Sequence, residues 1–470
     1  MRRPSAEWPG QPRPLARDRA RRPNRACSRP GPQICLRTCR DLEETGKGRS
    51  NRMAEQVETI IVGGGQSGLA MSYWLNQTGR EHLILERGRV AERWQSQRWD
   101  SLCLLTPNWA MSLPSYDYDG PDPDGFMGKD EVFRIINTYA ERIGAPVRTG
   151  VAVTDLQRRE DRDDYVLETT AGQFVARNVV VATGPFGVSV IPSVSGTLTP
   201  DVVQIHSSEY RNPQQLPPGA ALVVGAAASG FQIAEDLIEA GRRVYFSLGR
   251  HETRVRRYRG KDIAWWMSLT GQWERKLEDH PDAFYAPRAA LTGAGGGHDL
   301  SVRKLAHQGA MLLGRIQSAN GNELVIAPDI VETVREGDER SRRSLAMIDE
   351  FIARAAMAAP LDVPATWPDP PELLDPILRL DLRRAGVTSI IWATGFRYAF
   401  DWIHPPVLDV HGNPRHRRGT TTYPGLHFLG LRWLYKFKSS FIHGVGEDAQ
   451  FLAERIALRD APRTAASSAE

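Results

Sequence analysis

The chain has 470 residues, 41% hydrophobic and 25% charged, which is ordinary globular composition and enough for two or three domains. Its apolar runs stop well short of the roughly 20 residues that a membrane-spanning helix needs. The net charge of +4 comes from one end: residues 1–52 hold 14 Lys+Arg against 5 Asp+Glu, leaving 46 against 51 beyond them, so the body carries no basic nucleic-acid footprint.

Residues 1–52 are rich in Arg and Pro and show no apolar period, so they are expected to be a disordered basic extension. They lack the apolar core of a secretory signal. Met53 stands directly before the first ordered pattern. Either it is the natural start, or the preceding stretch is an Arg-rich targeting or partner-binding arm. Three of the four cysteines, Cys27, Cys35 and Cys39, lie in this stretch. Cys103 alone remains in the body, which fits a reducing, cytoplasmic compartment. No spacing of His, Cys, Asp and Glu suggests a metal site.

The first organised stretch is Thr59-Ile-Ile-Val-Gly63-x-Gly65-Gln66-Ser67-Gly68, continuing to Leu83-Ile84-Leu85-Glu86. A β-branched strand, a glycine turn, a helical pattern and a strand ending in an acid form a βαβ unit for a dinucleotide. Gly63 serves the tight turn, Gly65 the close approach of backbone N–H groups to a pyrophosphate, and Gly68 the packing of helix on strand. Glu86, about 18 residues beyond Gly68, suits the hydroxyls of an adenosine ribose. Arg87, Trp94 and Arg98 follow in a loop dense in arginine and tryptophan, suited to phosphates and rings. Asn108 lies in Thr106-Pro107-Asn108. Residues 113–128 read as a loop and Lys129–Ile143 as a helix.

Strands are expected at 147–156 (which includes Val153), 164–169 and 173–182, with the middle ones as a meander. The last ends in Ala182-Thr183-Gly184, whose small residues leave room for a ligand. A Pro-rich connection over 192–218 holds His206-Ser-Ser-Glu-Tyr210. The opening pattern then returns as Ala221-Leu-Val-Val-Gly225-x-Ala227-x-Ser229-Gly230, with a second strand at Arg243–Ser247. Alanine replaces the middle glycine. No acid ends the second strand; Arg250 follows instead, which favours a 2′-phosphate, hence NADP over NAD. Residues 258–360 show the weakest pattern. Within them Trp265-Trp266-Met267 is an aromatic step, Gly293–Gly297 a flexible run and 323–326 an edge strand of a parallel sheet. A Pro-rich linker covers Pro360–Pro376. Val387–Trp392 leads to Ala393-Thr394-Gly395, echoing the earlier turn. Gly446-Glu447-Asp448 opens a last helix through Ile456, where backbone N–H groups could meet a flavin oxygen.

With these motifs in this order, Met53 to about Ile456 resembles the single-component flavin-dependent monooxygenases: flavin-containing monooxygenases, the plant YUCCA type and CzcO-like flavoproteins. The resemblance implies an α/β fold of two dinucleotide-binding, Rossmann-like domains, the NADP domain inserted in the FAD domain. It places the FAD domain at 53–217 and 376–460, the NADP domain at 218–375 and a disordered tail at 461–470. It implies FAD and NADPH as cofactors, with a C4a-(hydro)peroxyflavin passing one oxygen atom from O2 to N, S or a carbonyl of a small organic substrate. The cofactor contacts it implies are Gly63, Gly65, Gln66, Ser67, Gly68, Glu86, Arg87, Trp94, Arg98, Val153, Thr183, Gly184, His206, Gly225, Ala227, Ser229, Gly230, Ser247, Arg250, Thr394, Gly395, Gly446 and Glu447. Asn108 and Tyr210 take the catalytic places. The family pattern FxGxxxHxxxY is met at His206 and Tyr210, while Pro200 and Val202 replace its Phe and Gly. A homodimer is compatible with the sequence. Three alternatives stay open. One is a disulfide reductase, which Cys103 without a partner disfavours. The others are an NADPH oxidase or reductase without oxygen transfer and a non-catalytic flavin-binding accessory protein.

Overall fold

The computed structural model describes residues 54–460 except Arg288, so the expectations for residues 1–52 and 461–470 lie outside the described residues. β1 (Glu55–Val62) runs from two exposed residues into buried Ile60, Ile61 and Val62, the pattern of a strand covered on both faces. α1 (Gln66–Gln77) and β2 (His82–Glu86) complete a parallel unit, with Val62 opposite Leu85. α2 (Glu92–Ser96) and α3 (Lys129–Arg142) follow. β3 (Val147–Thr149) pairs with β2, while β4 (Val153–Arg159), β5 (Asp164–Thr169) and β6 (Gly172–Val181) form an antiparallel meander that returns to β1 in parallel. The one strand expected over 147–156 is therefore two. Gly150, at φ +73°, turns the chain between them.

The chain leaves this sheet through β7 (Val188–Ser189) and starts a second one with β8 (Val203–His206), β9 (Ala220–Val224), α4 (Ala228–Glu239) and β10 (Val244–Ser247). α5 (Ile263–Leu269) carries Trp266, whose Nε1 donates to Tyr258 O at 2.7 Å in the core, so this tryptophan lines no site. β11 (Ala310–Leu313) extends the second sheet. β12 (Ile316–Asn320) and β13 (Glu323–Ile326) precede α6 (Ile330–Arg354), and β14 (Arg379–Asp381) and β15 (Val387–Trp392) follow it. β13 is not a parallel edge: it is the middle of an antiparallel β12-β13-β14 sheet. β16 (Phe396–Arg397) brings the chain back, β17 (Leu426–Phe428) joins the first sheet on β6, and α7 (Val445–Asp460) closes the fold.

The first sheet thus has seven strands, β3-β2-β1-β6-β5-β4 with β17 also on β6, and the second has the order β8-β15-β9-β10-β11, parallel throughout. The fold is two dinucleotide-binding α/β halves, the second inserted in the first. Two of the five strands of the second sheet, β8 and β15, lie outside the expected 218–375. Along β9 the residues alternate between two cores. Ala221 and Val223 face Phe231 of α4, and Leu222 and Val224 face Leu324 and Leu380 of the small antiparallel sheet.

Candidate functional site

The two glycine turns are built alike. Gly63 and Gly225 take φ +114° and +110°, where a Cβ would stand 2.7 Å from Ala182 O and 2.5 Å from Ala393 O. A Cβ at Gly68 or Gly230 would run into the carbonyl of Gly63 or Gly225, so these glycines seat the helices on the strands. At Gly65 no atom lies within 4 Å of a Cβ. That open side, at the start of α1, is the cradle a pyrophosphate needs. Ala227 has the same extended backbone (φ −88°, ψ −178°, against −88° and −173° at Gly65), and its methyl group is exposed in the corresponding space. Neither α1 nor α4 has a side-chain cap or an acid in its first turn, so the helix-start N–H groups remain for an anion. Gln66, Ser67 and Ser229 sit in those first turns.

The strand ends differ. Gly63 N–H donates to Leu85 O at 2.9 Å and Gly225 N–H to Ser247 O at 3.0 Å, so Leu248 stands where Glu86 stands in the first unit. Glu86 receives Gly64 N–H at 2.7 Å and Gly88 N–H at 2.8 Å, which fixes its carboxylate at the rim of the first turn. Val151 N–H reaches Glu86 O at 3.0 Å, which brings the start of β4 and Val153 to the same rim. In the second unit Leu248 is buried and the Ser247 hydroxyl donates to Gly314 O at 2.8 Å, so Ser247 is spent on the fold. Arg250, two residues beyond Leu248, is exposed and has no ion pair among the described residues, whereas Arg254 is paired with Glu252.

Both Ala-Thr-Gly turns meet between the sheets. Gly184 and Gly395 take φ +75° and +89°, with open space where a Cβ would go. Thr394 bonds Val190 O, while Thr183 is half-buried beside Gly184. Phe186 and Phe396, just past each turn, lie edge to face at 5.2 Å. His206 is buried, its Nε2 lies 3.0 Å from Gly395 O, and burial pushes its imidazole below the ordinary value. It holds the second turn in place. Arg98 lies over the rings of Trp94 (5.7 Å) and Phe186 (5.1 Å), and Arg93 donates to Phe186 O. Burial holds Arg93 and Arg98 down to about 10, neighbouring arginines add to it, and Arg211 joins them by bonding Ser96 O. None of the three has a carboxylate at ion-pair distance among the described residues, an arrangement that suits phosphate. Arg87 is exposed at the same edge.

Four expected site residues, Tyr210, Asn108, Gly446 and Glu447, are engaged by other parts of the protein. Tyr210 is fully buried in the core of the second half, and its hydroxyl donates to Asp236 Oδ2 at 2.6 Å. Asn108 spends its amide on Asp122 O (2.9 Å) and Met127 N–H (2.7 Å), pinning a loop. Glu447 pairs with Lys436 (2.6 Å) and with Lys438, while Gly446 abuts Pro114 and accepts from Trp74 Nε1 at 3.1 Å. Arg93 lies in the same arginine- and tryptophan-rich loop that the sequence assigns to phosphates and rings, whereas the contacts of Trp273 with His443 and of Phe284 with Arg432 come from a long-range crossing that no local pattern announces.

Residues 60–268 match the family described as pyridine nucleotide-disulphide oxidoreductase. Among the described residues Cys103 is the one cysteine, and it is free. A protein of Geobacillus kaustophilus (strain HTA426) named as an uncharacterized CzcO-like oxidoreductase is 33% identical over 409 residues, covering 86% of this chain and 99% of the relative. Indole-3-pyruvate monooxygenase YUCCA8 of Oryza sativa subsp. indica is 31% identical over 199 residues, 40% of this chain and 47% of its own. In fold, the flavin-containing monooxygenase from Stenotrophomonas maltophilia is similar, with TM-score 0.59 at 17% identity over 86% of this chain and 99% of that one. The chain belongs to the CzcO-like oxidoreductases.

Proposed function

We propose that the protein is an FAD- and NADPH-dependent monooxygenase that transfers one oxygen atom of O2 to a small organic substrate at N, S or a carbonyl carbon. The observation that carries this is the pairing of two open helix starts with unlike strand ends, Glu86 at one and Leu248 followed by Arg250 at the other. The residues fit FAD at the first site. Gly65 and α1 hold the pyrophosphate, Glu86 the ribose, and the start of β4 bounds the adenine. They fit NADPH at the second, with α4 on the pyrophosphate and Arg250 on the 2′-phosphate. The bound flavin, reduced by NADPH, supplies the activation of O2. The chain supplies everything else: the arginines between the sheets neutralise phosphate, His206 holds the Thr394-Gly395 turn, and apolar Trp109, Trp273 and Met267 keep water from the reacting face. We further place the second domain at about residues 203–392, the first around it, and the protein in a reducing cytoplasm.

The test is anaerobic reduction by NADPH, then mixing with O2 under stopped flow. A long-lived spectrum distinct from oxidised and reduced flavin, with product in place of hydrogen peroxide once a substrate is found, supports oxygen transfer. Immediate return to oxidised flavin with stoichiometric peroxide makes the protein an oxidase. Absence of reduction makes it a non-catalytic flavin-binding protein.

A further inference from the structure

Residues 272–284 cross the C-terminal segment 432–443 as a strap. Phe437 N–H donates to Arg275 O at 2.8 Å, Leu277 N–H to Tyr435 O at 3.4 Å, and Lys276 bridges Lys436 in antiparallel fashion. Its edge is fastened by four alternating charges. Lys436 Nζ lies 2.6 Å from both Glu274 and Glu447, and Lys438 Nζ lies 2.5 Å from Glu274 and also pairs with Glu447.

The two ends of the strap carry aromatic rings, and each ring covers a buried nitrogen that has no partner among the described residues. Trp273 lies 4.3 Å from the His443 imidazole at 39°, and His443 Nε2 is one of these nitrogens. Phe284 lies 5.5 Å from the Arg432 guanidinium. Arg432 Nη2 donates to Phe284 O at 3.2 Å, Arg432 Nε is the second unpartnered nitrogen, and among the described residues no carboxylate pairs with this guanidinium. Burial holds His443 neutral at pH 7, its value lowered to about 4, and also lowers Arg432. Arg432 is the one of the two that the chain carries close to the first site. Arg432 lies two residues past Gly430, which touches Ser67 at the start of α1. His443 lies three before Gly446, which touches Pro114. Buried polar nitrogens without partners are rare and costly, and a bound ligand would supply the partners that these two lack.

We propose that the underside of this strap is the substrate subsite, that it takes a flat organic anion, and that Arg432 receives the anionic group while His443 Nε2 meets an uncharged polar edge. This deepens the monooxygenase reading and rests on it for the word substrate. Trp109, 5.6 Å from Trp273, and Phe441, 5.5 Å from His443, give the apolar wall against which a planar molecule lies.

The probes are phenylacetate and its neutral isostere 2-phenylacetamide, titrated by calorimetry into the FAD-loaded protein. The wild type should bind the anion about tenfold more tightly, as one charge-assisted contact gives. Arg432→Gln should erase that preference and Arg432→Lys restore part of it, with the ratio of flavin to protein unchanged in both. His443→Phe should weaken both probes about tenfold while its Tm stays level or rises, since a partnerless buried nitrogen has been removed. A histidine with only a structural role gives the reverse, a lower Tm with binding intact, and overturns its assignment. The proposal also falls if the wild type shows no preference, whether from equal binding or from none, or if Arg432→Gln sheds FAD and keeps the preference. A failed oxygen-transfer test leaves these binding ratios as they are, so the two readings fail separately.

Discussion

Single residues set the cofactor chemistry, and the two glycine turns allow it to be tested one atom at a time. Gly68→Ala pushes a methyl group into the Gly63 carbonyl and should cost about 1–3 kcal/mol, read as a fall in Tm of the flavin-free protein. Gly65→Ala meets open space, so Tm should hold while FAD affinity drops about tenfold, the loss appearing at the pyrophosphate alone. Arg250→Ala should raise the KM for NADPH about tenfold and leave that for NADH unchanged, because NADH lacks the group Arg250 meets. His427 behaves differently. It is 4% exposed on β17, and burial lowers its imidazole to about 3, with Arg459 and Arg455 adding to the effect. Between the ordinary value near 6.5 and about 3, the unfolded chain binds a proton that the folded one refuses. Stability therefore falls as pH drops through that window, by up to about 1.4 kcal/mol per pH unit. His427→Leu should remove about 2 kcal/mol of the loss between pH 7 and pH 5, measured by urea denaturation at both values. The glycines were legible in the sequence because each answers a local backbone demand. The unpartnered nitrogens of Arg432 and His443 were not, because lacking a partner is a property of the surroundings.

At the scale of elements, the buried Arg256–Asp262 pair ties α5 to the first half of the molecule. Arg256 is 1% exposed, both its outer nitrogens are engaged, and Nη1 also reaches Leu105 O at 2.8 Å. Asp262 also caps α5 through Ala264 N–H. Asn in its place keeps the cap and removes the charge, so Asp262→Asn isolates the cost of leaving a buried guanidinium unpaired, about 3–5 kcal/mol in thermal or urea unfolding. The βαβ elements were readable because apolar period and glycine spacing agree. α6 was not read. Its buried face interrupts Ile330, Val334 and Ile348 with Gly337 and Ser344, and pairs such as Arg340–Glu336 and Arg343–Glu339 make its surface look like solvated loop. Gly293–Gly297 misled in the opposite way. Gly293 and Gly297 press against Phe126, so glycine there serves close packing and not freedom.

For the whole molecule, two repeated patterns in one chain announced two nucleotide-binding halves, and the fold has both. How the halves interleave was hidden, since β8 and β15 carry no glycine signature and declare their sheet only by pairing. The same two strands carry a mechanical consequence. The chain enters and leaves the second half side by side, through the antiparallel β7–β16 ribbon and then the parallel β8–β15 pair, with His206 and Phe396 packed at 4.8 Å where they meet. A double crossing of this kind resists torsion and sliding far better than a single linker does, and leaves bending about one axis as the soft coordinate. Opening and closing around the nicotinamide cofactor then becomes a hinge motion, with the strap at 272–284 as its latch. Fluorophores at Glu160 and Arg342, both exposed, should report one distance that shifts with NADP+ and shifts further when Glu274→Gln loosens the latch; a broad, unshifted distribution would show that the crossing is no hinge.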